Sequence, residues 1–262
     1  MAITYTEKDV LQELNDFLTK QPLELLYTER FINYTGKTRD TQKYYSEIIC
    51  EELIKKDVIN KLIQIHEIHR ENSYKVASHF NGGCPQTDTN RKEEILAKGY
   101  FLEKTCFDKL GKVIDFQVPL KNKQDDKAGK IDLITYNENS NDVFLVELKA
   151  LNSAESLLRA ALEISIYYEQ LKKDKFLNDY SEVFKGKVSE QNIKKAVLLI
   201  QDSKIANEAQ DENRPKLREL LKSLDVSVEI TDKTPLVDSL NKSDACKQAD
   251  AMAEDFEKAS RT

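Results

Sequence analysis

Two alternating stretches joined by a short polar turn constrain this chain more than any other feature. Gly129-Lys130-Ile131-Asp132-Leu133-Ile134-Thr135-Tyr136 and Val143-Phe144-Leu145-Val146-Glu147-Leu148-Lys149 are rich in β-branched and aromatic residues, as strands are. The linker Asn137-Glu138-Asn139-Ser140-Asn141-Asp142 has the turn chemistry that joins antiparallel neighbours. Folded symmetrically, the hairpin turns between Asn139 and Ser140, so Asp132 lies opposite Glu147. Facing side chains start roughly 4.5–5.5 Å apart at Cβ. Alternation puts Glu147 and Lys149 on one face of the strand and Val146 and Leu148 on the other.

Two facing carboxylates beside a lysine repel each other in a dry site, and a hard divalent cation removes the conflict. Mg²⁺ or Mn²⁺ takes carboxylate oxygens and retains several waters. Such an ion polarises a phosphoryl oxygen and acidifies a bound water. The lysine can orient or deprotonate that water, or stabilise phosphate charge. A surface hairpin with an ordinary charged face has the same spacing.

Asp, a turn, then Glu-x-Lys closing the next strand resembles the PD-(D/E)xK nuclease superfamily, the restriction-endonuclease-like fold. The matching residues are Asp132, Glu147 and Lys149; Ile131 stands where the superfamily often has proline. The resemblance implies metal-dependent phosphodiester hydrolysis with Mg²⁺ or Mn²⁺ as cofactor. It implies a nucleic-acid substrate, DNA ahead of RNA. It also implies Asp132 and Glu147 as metal ligands, a backbone carbonyl near Leu148 as another, and Lys149 positioning the attacking water.

Composition sets the outer bounds. A chain of 262 residues, 40% hydrophobic and 33% charged, suits one sizeable globular domain or one domain with a helical extension. It has no apolar run of membrane-spanning length and begins without a signal-peptide pattern. Cys50, Cys84, Cys106 and Cys246 are scattered without zinc-ligand spacing, so reduced thiols and a cytoplasmic protein are expected. The net charge of −6 argues against wholesale polyanion binding, although a metal supplies local positive charge.

Residues 1–85 read as a helical N-terminal region. Thr6 caps a helix carrying Val10, Leu11, Leu14, Phe17 and Leu18, ended by Gln21-Pro22. A second helix is expected over Leu23–Asn33, and a long one from about Asp40 to His66. His66 and His69 then share a helix face, more as polar surface residues than as a metal site. Asn81-Gly82-Gly83-Cys84-Pro85 is the clearest linker and marks a domain boundary.

The domain over 86–235 opens with a helix in which Asn90 and Glu93 form a capping-box pattern. The resemblance makes Glu93, then Glu94, a further metal ligand; capping accounts for Glu93 equally well. A first core strand is predicted over Val113–Leu120, ended by Pro119. The loop Lys121–Lys127 is either a solvated turn or a phosphate contact. After Lys149, Asn152 is the expected cap of a helix with the apolar stripe Ala154, Leu157, Leu158, Ala161, Ile164, Ser165 and Tyr168. Glu155, Arg159, Glu163 and Tyr167 form a second stripe. Glu163-Ile164-Ser165-Ile166-Tyr167 is similar to the Gln-x-x-x-Tyr element of several families of this fold, with Glu for Gln. It therefore joins Arg159 as a candidate substrate contact. Arg159 is otherwise an intrahelical ion pair.

Ala196–Ile200 is a continuous apolar run, expected as a strand covered on both faces and parallel to the Glu-x-Lys strand. A helix capped by Asn213 and a strand through Val226, Val228 and Ile230 follow. The expected architecture is a mixed α/β sheet with a restriction-endonuclease-like α-β-β-β-α-β core behind a helical N-terminal region. The tail 236–262 is polar. Two functions are carried forward. One is a DNA-cutting enzyme, with homodimerisation open. The other is a catalytically silent fold that binds nucleic acid or protein in a defence or repair assembly. No membrane partner is expected.

Overall fold

A computed structural model describes residues 4–76, 79, 92–121 and 129–235. The linker at 81–85, Asn90, the loop over 122–127 and the tail 236–262 lie outside the described residues. The fold is mixed α/β. The N-terminal region contains α1 (Glu7–Lys20), two 3-10 turns (Leu23–Thr28 and Arg30–Asn33), α2 (Tyr45–Lys55) and α3 (Val58–Leu62). There follow α4 (Lys92–Leu102), β1 (Cys106–Phe107), β2 (Gly111–Pro119), β3 (Lys130–Asn137), β4 (Asp142–Lys149) and α5 (Leu157–Gln170). The chain continues through α6 (Lys173–Asp179), α7 (Ser181–Phe184), β5 (Ile193–Ile200), α8 (Lys204–Gln210), α9 (Pro215–Ser223) and β6 (Val226–Thr231).

The strands form one six-stranded sheet in chain order, antiparallel from β1 to β4 and parallel from β4 to β6. The hairpin register is the symmetric one, with Leu133 opposite Val146 and Asn137 opposite Asp142. Asn137 Oδ1 accepts from the N–H groups of Asn139 and Ser140, and Asn141 takes φ 59° to close the turn. β5 is covered on both faces: Val197 and Leu199 join one apolar cluster, Ala196, Leu198 and Ile200 the other.

α5 packs on β4 and β5 and is also covered by the 3-10 turns and α3. Leu157, Leu158, Leu162, Ile164 and Ile166 are all fully buried, so this helix is apolar on nearly every side. Each such side chain contributes on the order of 1.5–3 kcal/mol of burial. On the opposite face of the sheet, α4 delivers Ala97 and Tyr100 to Phe107, Leu133 and Val146.

Several sequence expectations need correction. The helix expected from Asp40 to His66 is two helices, because Asp57 takes φ 55° and turns Val58 and Leu62 into the core beneath α5. His66 and His69 therefore lie beyond the helix, both exposed. The helix expected over Leu23–Asn33 is split at Glu29, whose ψ of 141° is extended. The helix after β4 is capped by Ser156, not Asn152. Ser156 Oγ accepts from Arg159 N at 3.1 Å and donates to Ile32 O at 2.8 Å. Glu208 meanwhile accepts from Leu157 N at 3.0 Å. α9 begins behind Arg214 rather than Asn213, and Glu47 of α2 caps it, accepting from Lys216 N and Leu217 N at 2.9 Å each. These two helix ends answer to distant partners that local spacing does not reveal.

Candidate active site

The β3–β4 ladder pairs as far as Leu133 and Val146, and one step beyond it come Asp132 and Glu147. Both lie on the face of the sheet covered by α5, where Ile134 and Leu145 already sit in the core. Asp132, Glu147 and Lys149 are all buried. Past the last ladder pair, Asp132 Oδ2 accepts from Leu148 N at 2.9 Å. Its other oxygen accepts from Gln117 Nε2 at 2.7 Å. Gln117 faces Asp132 from β2, between the pairs Phe116–Leu133 and Val118–Ile131. It holds φ 47°, a left-handed conformation that is unusual for a non-glycine strand residue.

Lys149 is the buried cation around which the other charges gather. Its Nζ donates to Glu147 Oε1 at 2.7 Å, pairs closely with Glu155 Oε2 and lies 3.8 Å from Glu163 Oε2. Burial alone lowers the lysine pKa, but Glu147, Glu163, Glu155 and Asp132 outweigh it and raise it, so Lys149 stays protonated. Burial pushes Asp132 up to about 7 against the opposing pull of Lys149, Leu148 N–H and Gln117. Burial likewise raises Glu147 well above the ordinary carboxylate range, and Asp132 and Glu163 add to the shift.

Glu163 and Tyr167 stand one helical turn apart on α5, and the Tyr167 hydroxyl donates to Glu163 Oε1 at 2.8 Å. Burial, then Glu163, raises the Tyr167 pKa, so the hydroxyl keeps its proton. Gly129 packs directly against that hydroxyl. A Cβ there would lie 1.6 Å from Tyr167 Oη.

These groups line an open cleft of about 740 Å³. Its rim is Lys92, Glu93 and Glu94 from α4, Lys130 from β3, and the Ala150–Glu155 connection. Glu93 reaches the end of β4, where Ala150 N donates to its Oε1 at 3.4 Å. Of the residues singled out in the sequence, Asp132, Glu147, Lys149, Glu93, Glu163 and Tyr167 thus meet in one cleft. Arg159 does not line it, and its Nε pairs with Glu155 Oε1 at 3.1 Å. The Leu148 side chain lies in the core on the far side of the sheet, and its contact with the site is through the backbone.

Among the described residues, the acidic group with oxygens all within 4.8 Å of one another is Glu147, Glu155 and Glu163. That set differs from the sequence-derived Asp132, Glu147 and Glu93. Both are made of hard oxygen donors, and Asp132 and Glu163 both act on Glu147 as like charges. Gln117 escaped the sequence reading because its contact depends on a register shift in β2 between Val113 and Asp115. Gly129 carried a usable signal, as one of only 7 glycines and immediately before the Asp132 strand. Compared with family models, curated proteins and solved structures, the chain matches none of them.

Proposed function

We propose that this chain is a metal-dependent nuclease with a restriction-endonuclease-like core, hydrolysing phosphodiester bonds in DNA. The observation that carries the reading is the meeting of Asp132 with Glu147-x-Lys149 at the ends of two adjacent strands, buried in one open cleft. Support also comes from the order α4, β2, β3, β4, α5, β5, with β5 parallel to β4.

The donor set fits a hard divalent cation. Two buried carboxylates whose pKa values stay pushed upward even beside Lys149 gain from a further positive charge. Asp132 and Glu147 would hold Mg²⁺ or Mn²⁺, with Glu93 or Glu163 completing the carboxylate set. Once bound, the ion supplies polarisation of a phosphoryl oxygen and acidification of a water. The chain's own residues do the remainder. Gln117 and the Leu148 N–H fix both oxygens of Asp132. Lys149, kept charged by its carboxylate ring, serves as a cation toward phosphate rather than as a base. Glu163 and Tyr167 set the α5 wall of the cleft.

A second reading rests on the same ring. Lys149 is engaged by Glu147, Glu155 and Glu163, and acidic groups outnumber basic ones in the cleft lining. That balance suits a silent module binding a protein partner.

Cleavage of supercoiled, linear and single-stranded DNA and of RNA with Mg²⁺ or Mn²⁺ decides between them. Asp132→Asn and Lys149→Met are run alongside. Metal-dependent cutting of DNA that both substitutions abolish is the expected result. Cutting that survives both, or no cutting of any substrate, overturns the nuclease reading.

A further inference from the structure

We propose that Tyr27, carried by the N-terminal helical region, is a positioning residue of this site: its hydroxyl orders Tyr167, which orients Glu163 toward Lys149. Tyr27 lies 140 residues before Tyr167, and the two hydroxyls are 3.3 Å apart. Their rings meet edge to face, with centroids 5.6 Å apart and planes at 79°.

The direction of this chain follows from counting protons. A phenol has a single proton to donate, and an ionised carboxylate has none. Tyr167 donates its hydrogen bond to Glu163 Oε1, so across the 3.3 Å contact it acts as acceptor and Tyr27 as donor. With Oε1 committed to Tyr167, Glu163 turns Oε2 toward Lys149 Nζ. The order is therefore Tyr27, Tyr167, Glu163, Lys149.

Tyr27 is delivered rigidly. Its 3-10 turn buries Leu26 completely. The following turn is fastened to the start of α5, where Asn33 Oδ1 accepts from Ser156 N at 2.6 Å and Ser156 Oγ donates to Ile32 O. The helical region before the sheet thus becomes part of the site's support as well as a cover for α5. A hydroxyl held this way restricts the side chain it touches, which is how outlying partners keep reacting groups in productive geometry.

Tyr27→Phe retains the ring and its edge-to-face packing and removes only the hydroxyl. The kinetic arm rests on the nuclease reading. There, kcat falls about three- to tenfold, the scale of one lost hydrogen bond, while KM stays within about twofold. Because Tyr27 acts through Tyr167, the double variant Tyr27→Phe/Tyr167→Phe is no slower than Tyr167→Phe alone.

The second arm needs no activity. In carboxyl-¹³C-glutamate-labelled protein, the Glu163 signal, assigned by its loss in Glu163→Gln, moves in both Tyr167→Phe and Tyr27→Phe. A Glu163 signal that moves in Tyr167→Phe but stays put in Tyr27→Phe overturns the proposal, and so do additive kinetic losses. A wild-type protein that cuts nothing overturns the nuclease reading, and the carboxyl signal then decides the role of Tyr27.

Discussion

Gly129→Ala is the sharpest single test of the site's packing. The added Cβ falls 1.6 Å from Tyr167 Oη and 2.1 Å from Cζ, whereas ordinary contact begins at 3.4 Å. The hydroxyl must therefore retreat by about 1.8 Å, the difference between the first and last of these distances. The ring is buried beside Tyr27 and turns about only two side-chain torsions, so it leaves by swinging off its present partners. Bonds of 2.8 Å to Glu163 and 3.3 Å to Tyr27 do not survive a shift of that size. One bond is to a charged group, worth roughly 1.5–3 kcal/mol, and the other is neutral, worth roughly 0.5–1.5 kcal/mol. A stabilising Gly-to-Ala effect of about 0.4–1 kcal/mol on the unfolded chain offsets part of this. The expected loss is about 1–4 kcal/mol, or roughly 2–8 °C in melting temperature for a chain of this size. Denaturant unfolding and a melting scan measure it. Gly129→Ala/Tyr167→Leu, which makes room for the methyl group, should then cost no more than Tyr167→Leu alone. A Gly129→Ala protein within 0.5 kcal/mol of wild type would refute the close approach.

Three further predictions address charge and capping. Burial pushes the Asp132 pKa up to about 7 in the fold, above its unfolded value of about 3.9. The native state therefore binds more protons between those values, so the Asp132 contribution to stability is fully present below about pH 4 and is lost as pH rises through 7. Melting temperatures at pH 5 and pH 8 check the sign, and added Mn²⁺ should shrink the difference. Lys149→Met strands Glu147 in the core and should cost about 3–5 kcal/mol at pH 8, with much of the loss recovered at pH 5 once the carboxylates protonate; equal losses in urea unfolding at both pH values count against the ring. Glu47→Ala uncaps α9 and should cost about 1–2 kcal/mol, with faster proteolysis near residue 215 and no change in metal-dependent cleavage.

Much of the site was legible in the sequence because its core is a short-range object. A six-residue polar turn and a side-chain period of two suffice to place Asp132 beside Glu147, and Glu-x-Lys puts Lys149 on the same face. The continuous apolar run of β5 and the Thr6 capping box of α1 are local in the same sense, each written within a few residues. Tertiary structure decided what depends on partners far along the chain. The kink at Asp57 lets Val58 and Leu62 reach the core under α5, against a local helical pattern that runs straight on. Ser156 starts α5 because Asn33 and Ile32 bond to it and Glu208 accepts from the next N–H, that of Leu157. Gln117 reaches Asp132 only through a shifted strand register, and Tyr27 reaches Tyr167 only when the helical region closes over α5. Periodicity records which face of an element is apolar. It does not record what that face meets, because the meeting is set by the packing of the whole chain.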